Sequence, residues 1–268
     1  MMGLFDIFKK KEPAPQAEST RHCFVLCGAS EPSNLANATE VVARIFGNQC
    51  TAEVGEGNMV SVNRGEENIG FLAHMPAPIP GGEAEGNADG NFLWPNGKEE
   101  AAKHQSHVIV TNIGGEEQTP IVSAMTVSRL TLAALEIFDG IGVYWGNASV
   151  SNSRAIFEEF CGNISEEHLP LPVWLRFQPV RQSDNEIGLY TIGMSQFGLM
   201  DIEVDRCTMG LEELFEFVSN IAHYLVQSGP VIADGNTVGG SEEERIVVHH
   251  RPSMVDANRK VYKIVFDA

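Results

Sequence analysis

The sequence predicts an α+β fold: a mainly antiparallel, mixed sheet packed with several helices. Three observations carry this. Strand-like runs often follow one another directly, as hairpins do. A few long segments between them carry apolar residues at helical spacing. The 268 residues are 43% hydrophobic, 8% aromatic and 20% charged, a composition that supports a sizeable core. Two ferredoxin-like split units would satisfy the pattern, although strand order is not written in the sequence. Residues 1–20 read as a flexible N-terminal tail and residues 21–268 as a single α+β body. Two sub-modules, if present, would meet near residues 115–140.

The tail comes first. Leu4, Phe5 and Phe8 can share one helix face, followed by Lys9, Lys10 and Lys11. So short a patch is marginal as a membrane anchor without a second one. Pro13 and Pro15 follow, which favours a disordered segment. Cys23–Cys27 is a short apolar strand. Ser33 to Phe46 reads as a helix with Leu35, Ala38, Val42 and Ile45 on one stripe and Gly47 as its stop. Met59–Val62 and Ile69–His74 suit a hairpin around Gly65. Residues 75–97 hold four Pro and five Gly, which predicts an irregular loop of the kind that often binds or covers a site.

A short helix over Lys98–Gln105 and a strand over His107–Asn112 come next. Thr119-Pro120 opens a helix with an N-cap and a proline at its first position, and that helix runs to Phe138. It is apolar nearly all round, so it is expected to be buried on most sides. Ile141–Trp145 is a strand and Ser151–Cys161 a helix. Pro172–Gln178, Ile187–Met194 and Leu199–Asp205 read as strands. Thr208–Ser228 is the clearest helix, with Leu211, Leu214, Phe215, Val218, Ala222 and Leu225 at helical spacing and Gly229-Pro230 at its end. Arg245–His250 and Lys260–Phe266 are the last strands.

Charge narrows the function classes. Lys and Arg number 18 against 36 Asp and Glu, a formal net charge of −18. The tail is balanced, so the surplus belongs to the body. An acidic body repels phosphate backbones, which argues against nucleic acid and for a basic protein as partner. No run of 18 uncharged apolar residues is present, so no transmembrane segment is expected. The lysines follow the first apolar run instead of preceding it, so no secretory signal is read. With five scattered cysteines, this points to the reducing cytoplasm. Cys23 and Cys27 have no second ligand pair at zinc spacing, so they read as buried thiols.

No motif identifies a reaction. Gly140-Ile-Gly142-Val-Tyr-Trp-Gly146 follows a helix, the wrong context for a dinucleotide fingerprint. Gly193 to Gly198 around Ser195 is one residue too long for a nucleophile elbow. Glu85 to Asn96 echoes a calcium loop but lacks the closing Glu and the flanking helices. His104 and His107 straddle an element boundary with no third metal ligand to join them. No catalytic residue, metal or cofactor is therefore assigned. Asp201, Glu203 and Asp205 alternate along a strand as an acidic stripe, either solvated or docked on a basic partner. A rival reading places a ligand pocket under the 75–97 loop, with Trp94 and Trp145 as apolar walls and His107, Asp234 and His249 as polar groups.

Several landmarks follow one another in order. They include Met75-Pro-Ala-Pro-Ile-Pro80, Trp94-Pro95, Gly142-Val-Tyr-Trp-Gly146 and Leu169-Pro-Leu-Pro172. Then come Thr191-Ile-Gly-Met194, Phe197-Gly198, Tyr224-Leu225, Asp234-Gly-Asn-Thr237 and Pro252-Ser253-Met254. In this the chain resembles bacterial proteins of the domain-of-unknown-function family 4261, most densely from about residue 140 onward. The resemblance implies a bacterial, largely cytosolic protein and brings no activity with it. Most landmarks are Gly, Pro, aromatic or amide residues, which shape turns and surfaces. The expectation is a non-enzymatic protein-binding module, of the immunity or accessory type. The alternative is a small-ligand binder or an enzyme.

Overall fold

The computed structural model describes residues 21–114, 118–239 and 246–266; the tail over 1–20 lies outside the described residues. The fold is α+β, with two sheets and seven α-helices among the described residues. The strands of the first half are β1 (Cys23–Cys27), β2 (Cys50–Val54), β3 (Val60–Arg64), β4 (Glu67–Met75), β5 (Ser106–Asn112), β6 (Gly140–Trp145) and β7 (Val150–Ser153). Its helices are α1 (Ala38–Phe46), α2 (Glu83–Ala88), α3 (Gly97–Ala101), α4 (Pro120–Ile137) and α5 (Arg154–Cys161). The second half adds α6 (Leu171–Trp174), β8 (Arg176–Arg181), β9 (Ile187–Ile192), β10 (Ile202–Cys207) and α7 (Leu211–Ser228). It closes with β11 (Thr237–Val238), β12 (Ile246–Pro252) and β13 (Lys260–Val265).

The first sheet is antiparallel throughout, in the order β2-β3-β4-β5-β1-β6-β7. Its centre, β4-β5-β1-β6 with α1 and α4 as crossovers, has the strand order of a split pair of β-α-β units. The second sheet is connected differently. Its order is β11-β12-β13-β10-β9-β8, two antiparallel meanders joined through α7, with β10 parallel to β13.

Strand β1 explains why its sequence, CFVLC, is apolar at every position. Cys23, Val25 and Cys27 face the main core with α1 and α4. Phe24 and Leu26 face a smaller cluster on the other side. A strand covered on both faces reads as a continuous apolar run. Helix α4 is long and apolar enough to cross a membrane by length and composition alone. Here it is the central core helix, capped by Thr119 Oγ1, which accepts from the Val122 amide. Nine of its 18 residues are buried.

The cover on the second face is made of the segment over 75–97, predicted to be a loop, and the short helix predicted after it. Residues 76–104 instead form a strap: a 3-10 turn at Pro80–Gly82, then α2, then α3. Gly81 and Gly82 sit at φ 76° and 70°, which an L side chain rarely adopts, and so the chain turns sharply into α2. Ile79, Ala84, Ala88, Trp94 and Ala101 pack beneath the strap on Leu26 and Tyr144. Trp94 can lie there because Gly142 of β6 has no side chain; a Cβ would stand 3.0 Å from the indole.

The two halves share one hydrophobic core. At their junction the rings of Trp145 and Trp174 stack with centroids 6.2 Å apart. Each indole N–H has a partner: Trp145 donates to Gln196 Oε1 at 3.1 Å, and Trp174 to Ser128 Oγ at 2.7 Å. Leu171–Trp174, predicted as the start of a strand, is one helical turn, and β8 begins only at Arg176. Ser151, predicted to start a helix, lies in β7; Ser153 caps α5 by accepting from the Ile156 amide at 3.3 Å.

Candidate functional site

The acidic stripe of β10 is the first candidate, and the structure corrects the expectation of a solvated surface. Asp201 is 8% exposed and Glu203 1%. The reason is the loop between β12 and β13, which folds over this face of the second sheet. Glu203 receives Ser253 Oγ at 2.5 Å, the Met254 amide at 3.1 Å and Lys263 Nζ at 3.2 Å. Lys263 also pairs with Asp205 at 2.5 Å. Ser253 Oγ in turn accepts the amides of Val255 and Asp256, so the loop is wound around the hydroxyl that Glu203 holds.

Asp201 holds the other arm of the same loop. It stands 3.6 Å from Arg259 and accepts from the Met194 amide at 3.1 Å and Thr191 Oγ1 at 3.2 Å. Burial pushes its carboxyl up to about 6, against the Met194 amide, Arg259 and Thr191, which pull it down. Burial also works against the charge on Lys263. Its bonds with Asp205 and Glu203 outweigh that and hold it above the ordinary lysine range. Two carboxylates therefore clamp the two ends of one loop. Such a paired network cannot also offer Asp201 and Glu203 to a docking protein. Asp205 alone stays half exposed.

Asp234 and His249 do come together. His249 Nδ1 lies 3.3 Å from Asp234 Oδ1, and Arg251 stands within 3.4 Å of both. The His250 amide donates to the same oxygen at 2.9 Å, and this bond is the main reason the Asp234 carboxyl sits below its usual range. The group is at the surface, where the segment around Asp234 runs along the edge of β12: the Gly235 amide donates to Val248 O.

The other predicted pocket residues do not join them. His107 lies in the first sheet under the strap, with Nδ1 2.7 Å from Ala77 O. Trp94 is on that same face and donates to Glu100 Oε2 at 2.7 Å. Trp145 belongs to the main core on the opposite face. The two tryptophans thus cannot be walls of one pocket. A small surface cleft does touch the strap, but Asn91, Phe92, Leu93, Pro172, Arg176 and Phe177 are among the residues that line it. Arg176 there is committed to Gln178, Asn87 and the carbonyls of Ser149 and Asp89. Among the described residues, no group of three or more His, Cys, Asp or Glu is placed to hold a metal ion.

The surface that sequence reasoning passed over is the outer face of α7. Its buried stripe is Leu214, Val218, Ile221, Ala222 and Leu225. Opposite it, Glu212, Glu213, Glu216, Asn220 and Tyr224 are exposed, Tyr224 at 53%. Glu213, Glu216, Asn220 and Tyr224 follow one another at three- and four-residue steps, so they form one stripe. The signal was present in the helical pattern. It went unread because attention fell on the apolar face.

Comparisons with curated proteins and with solved structures give no match. Of the ordered landmarks, those from Thr191 onward lie in a part of the chain that a family model matches. The model of the family described as Domain of unknown function (DUF4261) matches residues 190–265, from β9 through the clamped loop to the end of β13, and it is the family that the landmarks resemble.

Proposed function

We propose that this protein is a non-enzymatic protein-binding module, of the immunity or accessory type, that receives a basic partner on the outer face of α7. One observation carries the reading. Within the matched segment, three glutamates and a half-exposed tyrosine share an exposed helix face, with no hydrogen bond or ion pair among the described residues. Acidic groups steer a basic partner, and tyrosine is a frequent anchor of protein interfaces. The net charge of −18 adds a long-range field of the same sign. Affinity capture from the host at low and high salt tests this. A stoichiometric basic partner at low salt, lost at high salt, is expected; recovery of no partner at low salt contradicts it.

A second reading rests on the Asp234–His249 pair. A carboxylate that holds Nδ1 of a histidine leaves Nε2 to act as a base. That arrangement supports ligand binding or catalysis at the β12 edge. The pair lies at the surface and does not line the cleft beside the strap, which favours the binding module.

A further inference from the structure

The strap over the first sheet is held down by two histidines, and their chemistry gives it a condition for opening. His104 Nε2 accepts the Ile79 amide at 2.8 Å. An amide N–H can only donate, so this ring nitrogen carries no proton. His104 Nδ1 then donates to Ala101 O at 2.6 Å. His104 is thus a neutral imidazole that ties the start of the strap to its end. His107, on β5 beneath, donates from Nδ1 to Ala77 O at 2.7 Å and meets the Phe24 ring edge-on, with centroids 6.1 Å apart.

We propose that residues 76–104 form an acid-released strap: protonation of His104 and His107 frees it and bares the apolar face formed by Phe24, Leu26 and Tyr144. A proton on His104 Nε2 would point a donor at the Ile79 donor, and the bond is lost. A charge on His107 would sit under the strap beside a charged His104. Burial depresses the His107 pKa; the bond to Ala77 O pulls it up, and the neighbouring His104 and His74 push it down.

The other groups that face this layer do not reverse the sign. His74 of β4 lies on the opposite face, bonded to Ser106 Oγ and stacked on Phe138; burial lowers its pKa while Glu31 raises it. Tyr144 of β6 donates to Glu83 Oε1 at 2.8 Å; burial, with Glu83, pushes its phenol up to about 12. Glu100 accepts from Trp94. His107, held below the ordinary histidine range in the closed strap, takes up its proton more readily once the strap is open. The closed state therefore loses stability as pH falls through the ordinary histidine range.

Hydrogen exchange read by mass spectrometry on the full chain at pH 7.5, 6.5 and 5.5 tests this, with rates corrected for intrinsic pH dependence. Exchange across residues 76–104 should rise about tenfold or more at pH 5.5, while α4 and α7 stay protected. The double variant H104Q/H107N keeps an acceptor for Ile79 and a donor for Ala77 but cannot titrate, so its strap should exchange at one rate at all three pH values. As a control, Y144F cuts a bond that does not titrate in this range; it should raise strap exchange at every pH and leave the pH slope intact. A strap equally protected at pH 7.5 and 5.5 overturns the proposal. So does an unchanged pH slope in the double variant or a lost slope in Y144F.

Discussion

At the scale of single residues, position in the sheet decides what a carboxylate does. Asp201, Glu203 and Asp205 alternate as a surface stripe would, yet the first two are buried because a loop from another hairpin lies on them. The charge on Asp201 is a cost that folding bears. Its carboxyl sits above the ordinary aspartate range, so the folded state holds a proton that the unfolded chain has released. Stability from this group therefore falls as pH rises from about 4 to about 6, and the full cost is present above that. Asp201→Asn keeps an oxygen for Thr191 and Met194. It should stabilise the protein at pH 7.5 by on the order of 1–2 kcal/mol, with the gain gone near pH 4. Urea unfolding at the two pH values checks this; a loss of stability at pH 7.5 would show that the Arg259 contact outweighs burial. Glu203, by contrast, has a cation beside it, Lys263 Nζ at 3.2 Å. Lys263→Met leaves a buried carboxylate without its cation and should cost about 3–5 kcal/mol. Adding Glu203→Gln should restore part of that loss in a double-mutant cycle.

At the scale of elements, the parts legible in the sequence were those whose local pattern and tertiary role agree. Helices α4 and α7 carry their caps and apolar faces in their own residues, Thr119-Pro120 at one start and Gly229 at the other end. Of the strap, the helix after residue 97 was legible, but the turn at Pro80–Gly82 and α2 were not. Its Gly and Pro residues deny it intrinsic helicity, and what folds it is a face of β1 and β6 far away in sequence. Strand β2 was missed for a related reason. As an edge strand with one buried residue, Cys50, it has no alternation to read. The site was legible only in part. Alternation placed Asp201, Glu203 and Asp205 on one face, but nothing local announces the loop that covers them. The landmark Pro252-Ser253-Met254 was visible, but its role as the latch on Glu203 is a tertiary fact. Junction elements are also where stability is concentrated. Trp174→Ala removes a fully buried ring from between the two halves and leaves Ser128 Oγ without its donor. A loss of about 3–5 kcal/mol is expected in denaturant unfolding, and a loss under 1 kcal/mol would contradict the junction described here.

At the scale of the whole molecule, charge and core are segregated. One hydrophobic core runs through both sheets, and a smaller one lies under the strap. The matched segment supplies the second sheet from within β9 onward, without β8, together with the clamped loop and α7. In it Asp201 and Glu203 are buried under the loop between β12 and β13, while Glu212, Glu213 and Glu216 of α7 are exposed, the face to which the proposed function assigns the partner. The most direct test of that division is to measure how tightly the captured partner binds three proteins: the wild type, E212K/E213K/E216K, and E53K/E56K/E66K. Both variants reverse three exposed glutamates, so they share one net charge and differ only in place. The account predicts about a hundredfold loss of affinity for the α7 variant and only a few-fold loss for the other. Equal losses in the two variants would contradict it, because they would mean that overall charge, and not the outer face of α7, holds the partner.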